Sequence, residues 1–253
     1  MVYYKCNGAK KLTFEEPKQF NQGQKEISVI LPTYNEEGNI GRLINAIKSE
    51  LKNVDFEIIV MDDDSKDNTP KIIDSMASDK IIAVHRIGKR GIFSAILDGV
   101  KISSGKYIVI MDADFSHPPR KLHEFLKYRG DYDLVVGSRF LKKSGIEAPF
   151  FRKVSTIILN KACNFISGLG IKDSTGGFHL IRKSKFRKLR FKYPTIWGEF
   201  DLELLYLAVK KGWKIKEIPF TYKFREEGPS KSENLLKYAY VYLKRVIQLR
   251  FFR

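Results

Sequence analysis

Cysteine is scarce. Cys6 and Cys163 are the only two in 253 residues; their separation matches no metal-ligand spacing and makes no disulfide framework, so a reducing compartment is expected. Long apolar runs are also missing, and no stretch approaches the ~20 apolar residues that span a bilayer. Near the N-terminus, Lys10-Lys11 and Glu15-Glu16 break up any apolar segment, so no secretory signal is expected. There is no internal repeat, low-complexity tract or long linker. Two phosphate-binding signatures are absent as well. No G-x-G-x-x-G follows the first predicted strand, which disfavours a dinucleotide site, and no G-x-x-x-x-G-K-[ST] occurs, which disfavours a P-loop.

Acidic residues are outnumbered. Lys and Arg total 46 against 29 Asp and Glu, a net charge of +17. Such a surface attracts polyanions: nucleic acid, anionic lipid headgroups or phosphorylated substrates. The densest basic run, Arg182 to Lys192, reads equally well as a solvated face. The length allows one full hydrophobic core, and the 43% hydrophobic content is ordinary for a globular protein.

Short β-branched runs alternate with helical patterns. Strands are predicted at 27–32, 56–61, 81–85, 107–112 and 133–136. Between them, Ile40, Leu43, Ile44 and Ile47 form an i, i+3, i+4, i+7 stripe, Thr69-Pro70 opens a second helix, and 93–102 reads as a third. This alternation predicts an α/β fold with a parallel, doubly wound sheet through about residue 140. The second half is mixed, with helices at 152–167 and 200–211 and strands at 178–181 and 213–219. One continuous domain is expected over 27–232, after a polar lead-in at 1–26 and before a helix at 233–253. In that last helix Leu235, Ala239, Tyr242, Val246 and Leu249 share a face that Leu236, Leu243 and Ile247 widen. Lys237, Lys244 and Gln248 oppose it, with Arg245 and Arg250 at the edges. A basic amphipathic helix of this kind suits an anionic membrane surface.

The chemistry is concentrated where the predicted strands end. Asp112-Ala113-Asp114 closes the fourth strand, Asp62-Asp63-Asp64 the second, and Pro32-Thr33-Tyr34-Asn35-Glu36 the first. In a parallel sheet these ends share one edge, where open α/β sheets bind ligands. Clustered carboxylates repel unless a cation or a set of donors compensates. A nucleoside diphosphate carrying a hard divalent metal meets that requirement.

The sequence resembles the inverting family 2 glycosyltransferases of the GT-A (Rossmann-like) fold, and within them the dolichyl-phosphate mannosyltransferases. The resemblance rests on Ser28 to Glu36, on Asp62-Asp63-Asp64-Ser65-x-Asp67-x-Thr69, and on Gly105 through Asp112-Ala113-Asp114-x-Ser116-His117-Pro118-Pro119. It continues through Gly137-Ser138-Arg139, Pro149 to Lys153, Asp173-x-Thr175-x-Gly177-Phe178 and Arg225-x-x-Gly228-x-Ser230-Lys231. It implies that Pro32, Tyr34, Glu36, Met61, Asp63, Asp112 and Ala113 line the nucleotide site. Asp112 and Asp114 would hold Mg²⁺ or Mn²⁺, with Ser116 a weak third ligand where many relatives carry Gln. Arg139, Arg152, Arg225 and Lys231 would grip the phosphates of donor and acceptor, with Asp112, Asp114 and Arg139 as the catalytic group.

The activity so implied is transfer of mannose from GDP-mannose to dolichyl (polyprenyl) phosphate with inversion. A phosphomonoester acceptor has its second ionisation near pH 6 and needs no general base. Two alternatives stay open: a UDP-glucose:polyprenyl-phosphate glucosyltransferase, and a soluble family 2 transferase acting on sugar hydroxyls, which would draw a base from Glu199, Asp201 or Glu203. Those three also read simply as first-turn acids of a helix, and His117 as a structural residue ahead of Pro118-Pro119. The implied setting is peripheral, on the cytoplasmic face of a membrane, with a membrane subunit as a possible partner and no nucleic acid.

Overall fold

The computed structural model describes residues 4–6, 9–12, 25–193, 198–225 and 235–252. Two segments of the lead-in, Tyr4–Cys6 (β1) and Ala9–Leu12 (β2), pair antiparallel with each other. Then follow Ile27–Thr33 (β3), helix Ile40–Glu50 (α1), Phe56–Asp62 (β4), Thr69–Ser75 (α2), Ile81–Arg86 (β5), Ile92–Ile102 (α3) and Tyr107–Ile110 (β6). A 3₁₀ turn at Pro119–Lys121 leads into Leu122–Lys127 (α4), then Leu134–Ser138 (β7), Gly145–Glu147 (β8) and Phe150–Ser167 (α5). His179–Arg182 (β9), Lys183–Phe186 (α6), Phe200–Lys210 (α7), Ile215–Pro219 (β10), Thr221–Lys223 (β11) and Leu235–Phe251 (α8) complete the described elements.

The main sheet runs β10-β7-β9-β6-β3-β4-β5-β1-β2. Strands β6, β3, β4 and β5 are mutually parallel, as the alternation predicts. β9 inserts antiparallel between β6 and β7, which makes the second half mixed. The chain leaves β3 toward β4 and β5 and then returns to β3's other side as β6. That reversal is a topological switch point, and it opens a crevice at the carboxyl ends of these strands.

Alternation along the strands sorts side chains into two cores. Val29 and Leu31 of β3, with Ile58 and Val60 of β4, pack against Ile40, Leu43, Ile44 and Ile47 of α1. Ile30, Ile59 and Met61 turn the other way, onto Ala95, Ile96 and Val100 of α3 and the α7–α8 layer. Gly105 lets the chain enter β6 flush against β3: a Cβ there would sit 2.5 Å from the Ser28 backbone nitrogen. α5 ends at Gly168, whose left-handed φ of 64° caps the helix.

The basic run divides between core and surface. Phe186 and Leu189 are buried. The Lys183 ammonium donates to the Ser103 carbonyl, and Arg182 and Lys185 both pair with Asp133. Much of the run is therefore structural.

Candidate active site

Each loop that follows β3, β4 or β6 contains one non-glycine residue with positive φ: Asn35 at 50°, Asp64 at 60° and Phe115 at 63°. Asn and Asp tolerate this region, whereas for Phe it is strained, and such residues cluster at functional sites. The first two loops are stitched together. The Asn35 N–H donates to Ser65 Oγ at 2.8 Å, the Lys66 N–H to Asn35 Oδ1 at 2.8 Å, and the Glu36 N–H to Thr69 Oγ1 at 2.8 Å.

The Asp62-Asp63-Asp64 cluster splits three ways. Asp62 is buried and bonded to His85 Nδ1 at 3.0 Å, and His85 Nε2 reaches Asp74 at 3.0 Å. Between two carboxylates the imidazole is raised above its ordinary value, through the Asp62 hydrogen bond first. Asp63 accepts from Arg86 on one oxygen and from the Gly91 N–H, at 2.7 Å, on the other. Burial raises its carboxyl, and Arg86 and the Gly91 N–H oppose that shift. Arg86 is itself fully buried and also holds Asp98 at 3.3 Å and Ser94 Oγ at 2.5 Å. Asp64 points outward to Lys66, which lowers its pKa. Of the three, Asp63 lines the cavity.

That cavity, about 280 Å³, lies along the strand ends. Pro32, Tyr34, Glu36, Asp63, Asp112, Ala113, Asp114, Arg139, Arg152 and Arg225 all face it. Met61 does not line it; the side chain packs under α3 in the core. Ser116 is buried beneath the loop, and Lys231, Gly228 and Ser230 lie outside the described residues. The Asp112 side chain is about 50% exposed, and Asp114 Oδ1 accepts the Ser116 N–H at 3.1 Å. His117 accepts the Asp112 N–H on Nδ1 at 2.9 Å and stacks on Phe178 with centroids 4.9 Å apart. Burial pushes it down to about 3, so it is neutral and serves to hold the Asp112 loop.

These groups fit a hard divalent cation. Two carboxylates face the cavity, and the buried Ser116 hydroxyl has no hydrogen-bond partner among the described residues. No cluster of three or more His, Cys, Asp or Glu arranged for a metal occurs among the described residues. An ion of the Mg²⁺ type does not need one, because it keeps waters and takes substrate phosphate oxygens.

The arginines are fixed by partners. Arg139 forms a fork on Asp173 with two bonds of 2.8 Å and reaches Thr175 Oγ1 at 2.8 Å. Arg225 holds Glu36 at 2.7 Å. The Arg152 guanidinium lies 5.2 Å from the Phe224 ring centroid, and Arg90 covers the Tyr34 ring at 4.3 Å while bonding its hydroxyl at 2.7 Å. Arg86, Arg90 and Tyr238 carry no spacing signal; they are found only once strands and helices meet, and the pairing of Asp173 with Arg139 likewise comes from the fold.

Asp201 and Glu203 sit in the first turn of α7 as expected and Glu199 at its N-cap, but all three are buried. Arg245 is placed by its helical pattern at the edge of a solvated stripe. It is instead 5% exposed and reaches Glu203 at 3.3 Å and Glu199 at 3.7 Å. Leu236 and Ile247, which widen the apolar face, are 85% and 41% exposed, whereas Tyr242, Val246 and Leu249 of that face are buried beside Arg245.

The fold has counterparts among solved structures. Glucosyl-3-phosphoglycerate synthase from Mycobacterium tuberculosis, crystallised with Mn²⁺, UDP and phosphoglyceric acid, superposes with a TM-score of 0.68 over 90% of this chain and 79% of its own, at 17% identity. The fold is thus that of the GT-A glycosyltransferases. The sequence pattern of Glycosyl transferase family 2 matches residues 28–190, and the chain belongs to that family. A dolichol-phosphate mannosyltransferase of Pyrococcus furiosus is 31% identical over 88% of this chain, which spans 63% of that relative's length. A polyprenol monophosphomannose synthase of Mycolicibacterium smegmatis is 31% identical over 86% of this chain and 84% of its own.

Proposed function

We propose that the protein transfers mannose from GDP-mannose to dolichyl or another polyprenyl phosphate, with inversion at the sugar. The observation that carries this reading is the convergence of Asp112 and Asp114 with Arg139, Arg152 and Arg225 on one cavity. A chamber that must accept two phosphate-bearing substrates needs cations on both sides of the reacting carbon. The names of the two relatives support the same substrate class.

Asp63, Tyr34 and Glu36 would face the nucleoside, with Asp63 held rigid by Arg86. Asp112 and Asp114 would hold Mg²⁺ or Mn²⁺, which supplies charge stabilisation on the departing diphosphate. The arginines, fixed by Asp173, Glu36 and Phe224, present guanidinium groups to phosphate oxygens with little reorganisation. The acceptor phosphate is largely a dianion at neutral pH and attacks directly, so no proton must be removed. Two carboxylates that a hydroxyl-directed transferase could use, Glu199 and Glu203, are bound by Arg245.

A lipid acceptor calls for a membrane face, and the surface of α5 and α8 fits one. Phe151, Ile158 and Phe165 recur every seven residues on α5 and are 81%, 62% and 89% exposed. Leu236, Tyr240, Ile247 and Phe251, at spacings of four, seven and four residues, are exposed on α8 beside exposed Lys237, Lys244 and Arg250. Apolar side chains rimmed by lysine and arginine suit an anionic bilayer surface. No described helix is long and apolar enough to cross a membrane.

The test is donor and acceptor profiling of purified protein with and without Mn²⁺, together with flotation on anionic vesicles. Metal-dependent turnover of GDP-mannose with polyprenyl phosphate is expected, and Phe151→Ser with Phe165→Ser should weaken flotation. Turnover of UDP-glucose but not GDP-mannose would replace the donor.

A further inference from the structure

α8 forms part of the cavity wall as well as the outer surface. Tyr238 and Tyr242 both line the cavity, and the Tyr238 hydroxyl donates to that of Tyr242 at 2.9 Å. Tyr242 is 1% exposed, and burial raises both phenols, so each keeps its proton. Because its oxygen receives the Tyr238 bond, Tyr242 has its own O–H to offer.

Asp201, on α7, lines the same wall and is 2% exposed. Its Oδ1 is bonded to His179 Nε2 at 2.9 Å. Its Oδ2 lies between two bare glycines. A Cβ on Gly198 would be 2.7 Å from the Tyr242 hydroxyl and 3.9 Å from Asp201 Oδ2. A Cβ on Gly177 would be 3.6 Å from Asp201 Oδ2 and 4.0 Å from Asp112 Oδ1. Asp112, Asp201 and Tyr242 therefore follow one another along the wall, starting from the edge assigned to the diphosphate. An oxygen that accepts, next to a hydroxyl that donates, matches the neighbouring hydroxyls of a pyranose, each of which can do both.

We propose that Asp201 and Tyr242 form the subsite that holds the hydroxyls of the donor's sugar, with Arg245 as their positioning residue. This rests on the nucleotide-sugar reading above and adds the part of the chamber that recognises the hexose. Arg245 lies three residues beyond Tyr242 and binds Glu199 and Glu203, which flank Asp201 on either side. It thereby locks the two halves of the subsite together across α7 and α8. The helix with a membrane-facing surface thus also completes the sugar pocket.

Calorimetry with GDP and with GDP-mannose, in Mn²⁺, separates this subsite from the nucleotide site. Tyr242→Phe and Asp201→Asn should leave GDP affinity unchanged and weaken GDP-mannose about tenfold each, the effect of one hydrogen bond to sugar. Arg245→Lys should raise KM for GDP-mannose while GDP still binds as in the wild type. Equal GDP-mannose affinity in wild type and variants would overturn the proposal. So would a parallel loss of GDP binding, which marks structural damage, or loss of turnover in Asp201→Asn at unchanged donor affinity, which marks a role in the chemistry. If the wild type binds neither guanosine ligand, the GDP-mannose reading fails. UDP and UDP-glucose then take their place, and the same variants must still separate the nucleotide from its sugar conjugate.

Discussion

The two acidic clusters at the sheet edge have similar composition and opposite surroundings. At the end of β4, Asp62 and Asp63 are buried and matched by His85, Arg86 and a backbone N–H within the protein. After β6, the Asp112 side chain is half exposed to the cavity, and the histidine beside it is held neutral. The first cluster has its compensation built in and provides rigidity. The second fits compensation from a ligand. A buried carboxylate bonded to an internal guanidinium is poorly placed to take a metal, so charge alone does not identify a metal site; the partner supplied by the fold does.

The comparison can be broken most severely at Asp112. Asp112→Asn keeps the shape and removes a charge from the ligand-facing cluster. Turnover should fall about a thousandfold, the scale of several kcal/mol of lost charge stabilisation, while the far-ultraviolet circular dichroism and melting temperature stay near wild type. Turnover at wild-type rate with added Mn²⁺ would remove Asp112 from the metal site.

Arg86→Met probes the internally matched cluster and should do the reverse. It leaves Asp63 and Asp98 buried without their guanidinium, an effect of about 3–5 kcal/mol on stability. Chemical denaturation should show that loss. If the variant is as stable as wild type, water or a rearranged side chain compensates these acids and the contrast fails.

The smallest effect sharpens the comparison through pH. His85 is raised in the folded state by Asp62 first, with Asp74 adding to it. The folded protein therefore holds this proton more tightly than the unfolded chain does. The resulting stabilisation is fully present below the unfolded imidazole value of 6.5 and is lost as pH rises through the higher folded value. Denaturation midpoints of the wild type should fall over that interval relative to those of His85→Gln. Parallel pH profiles for the two proteins would mean that His85 carries no excess proton.

Much of the fold could be read from the chain because its signals are local. The Ile27–Thr33 run is buried on both faces, with Ile30 in one core and Leu31 in the other, and a short continuous β-branched run is the local mark of such a strand. The loops after β3, β4 and β6 were legible for the same reason, since each follows an apolar run without interruption. The antiparallel insertion of β9 between β6 and β7 was not, because a four-residue strand carries no mark of its direction.

The site was legible by address and not by orientation. Asp63, Asp112, Asp114, Arg139, Arg152 and Arg225 meet at one cavity from segments that are far apart in sequence. Yet Met61 packs away from it, since it lies within β4 against Gly99 of α3, two residues short of the loop position whose Asp63 lines the cavity. The helical pattern of 233–253 placed Arg245 at an edge, because periodicity treats a charged residue as solvent-seeking. Two buried glutamates on another helix reverse that preference.

By itself the sequence determined the order of the longer strands and helices, the family, and the edge at which polar residues collect, all of which follow from hydrophobic period and contiguous motifs; the short elements β1, β2, α4, β8, α6 and β11 left no such mark. Only the tertiary structure decided which of those polar groups are bound within the protein and which face the cavity. That depends on partners 20 to 190 residues away, such as Arg86 for Asp63 and Arg225 for Glu36, and no local pattern encodes a contact made at that range.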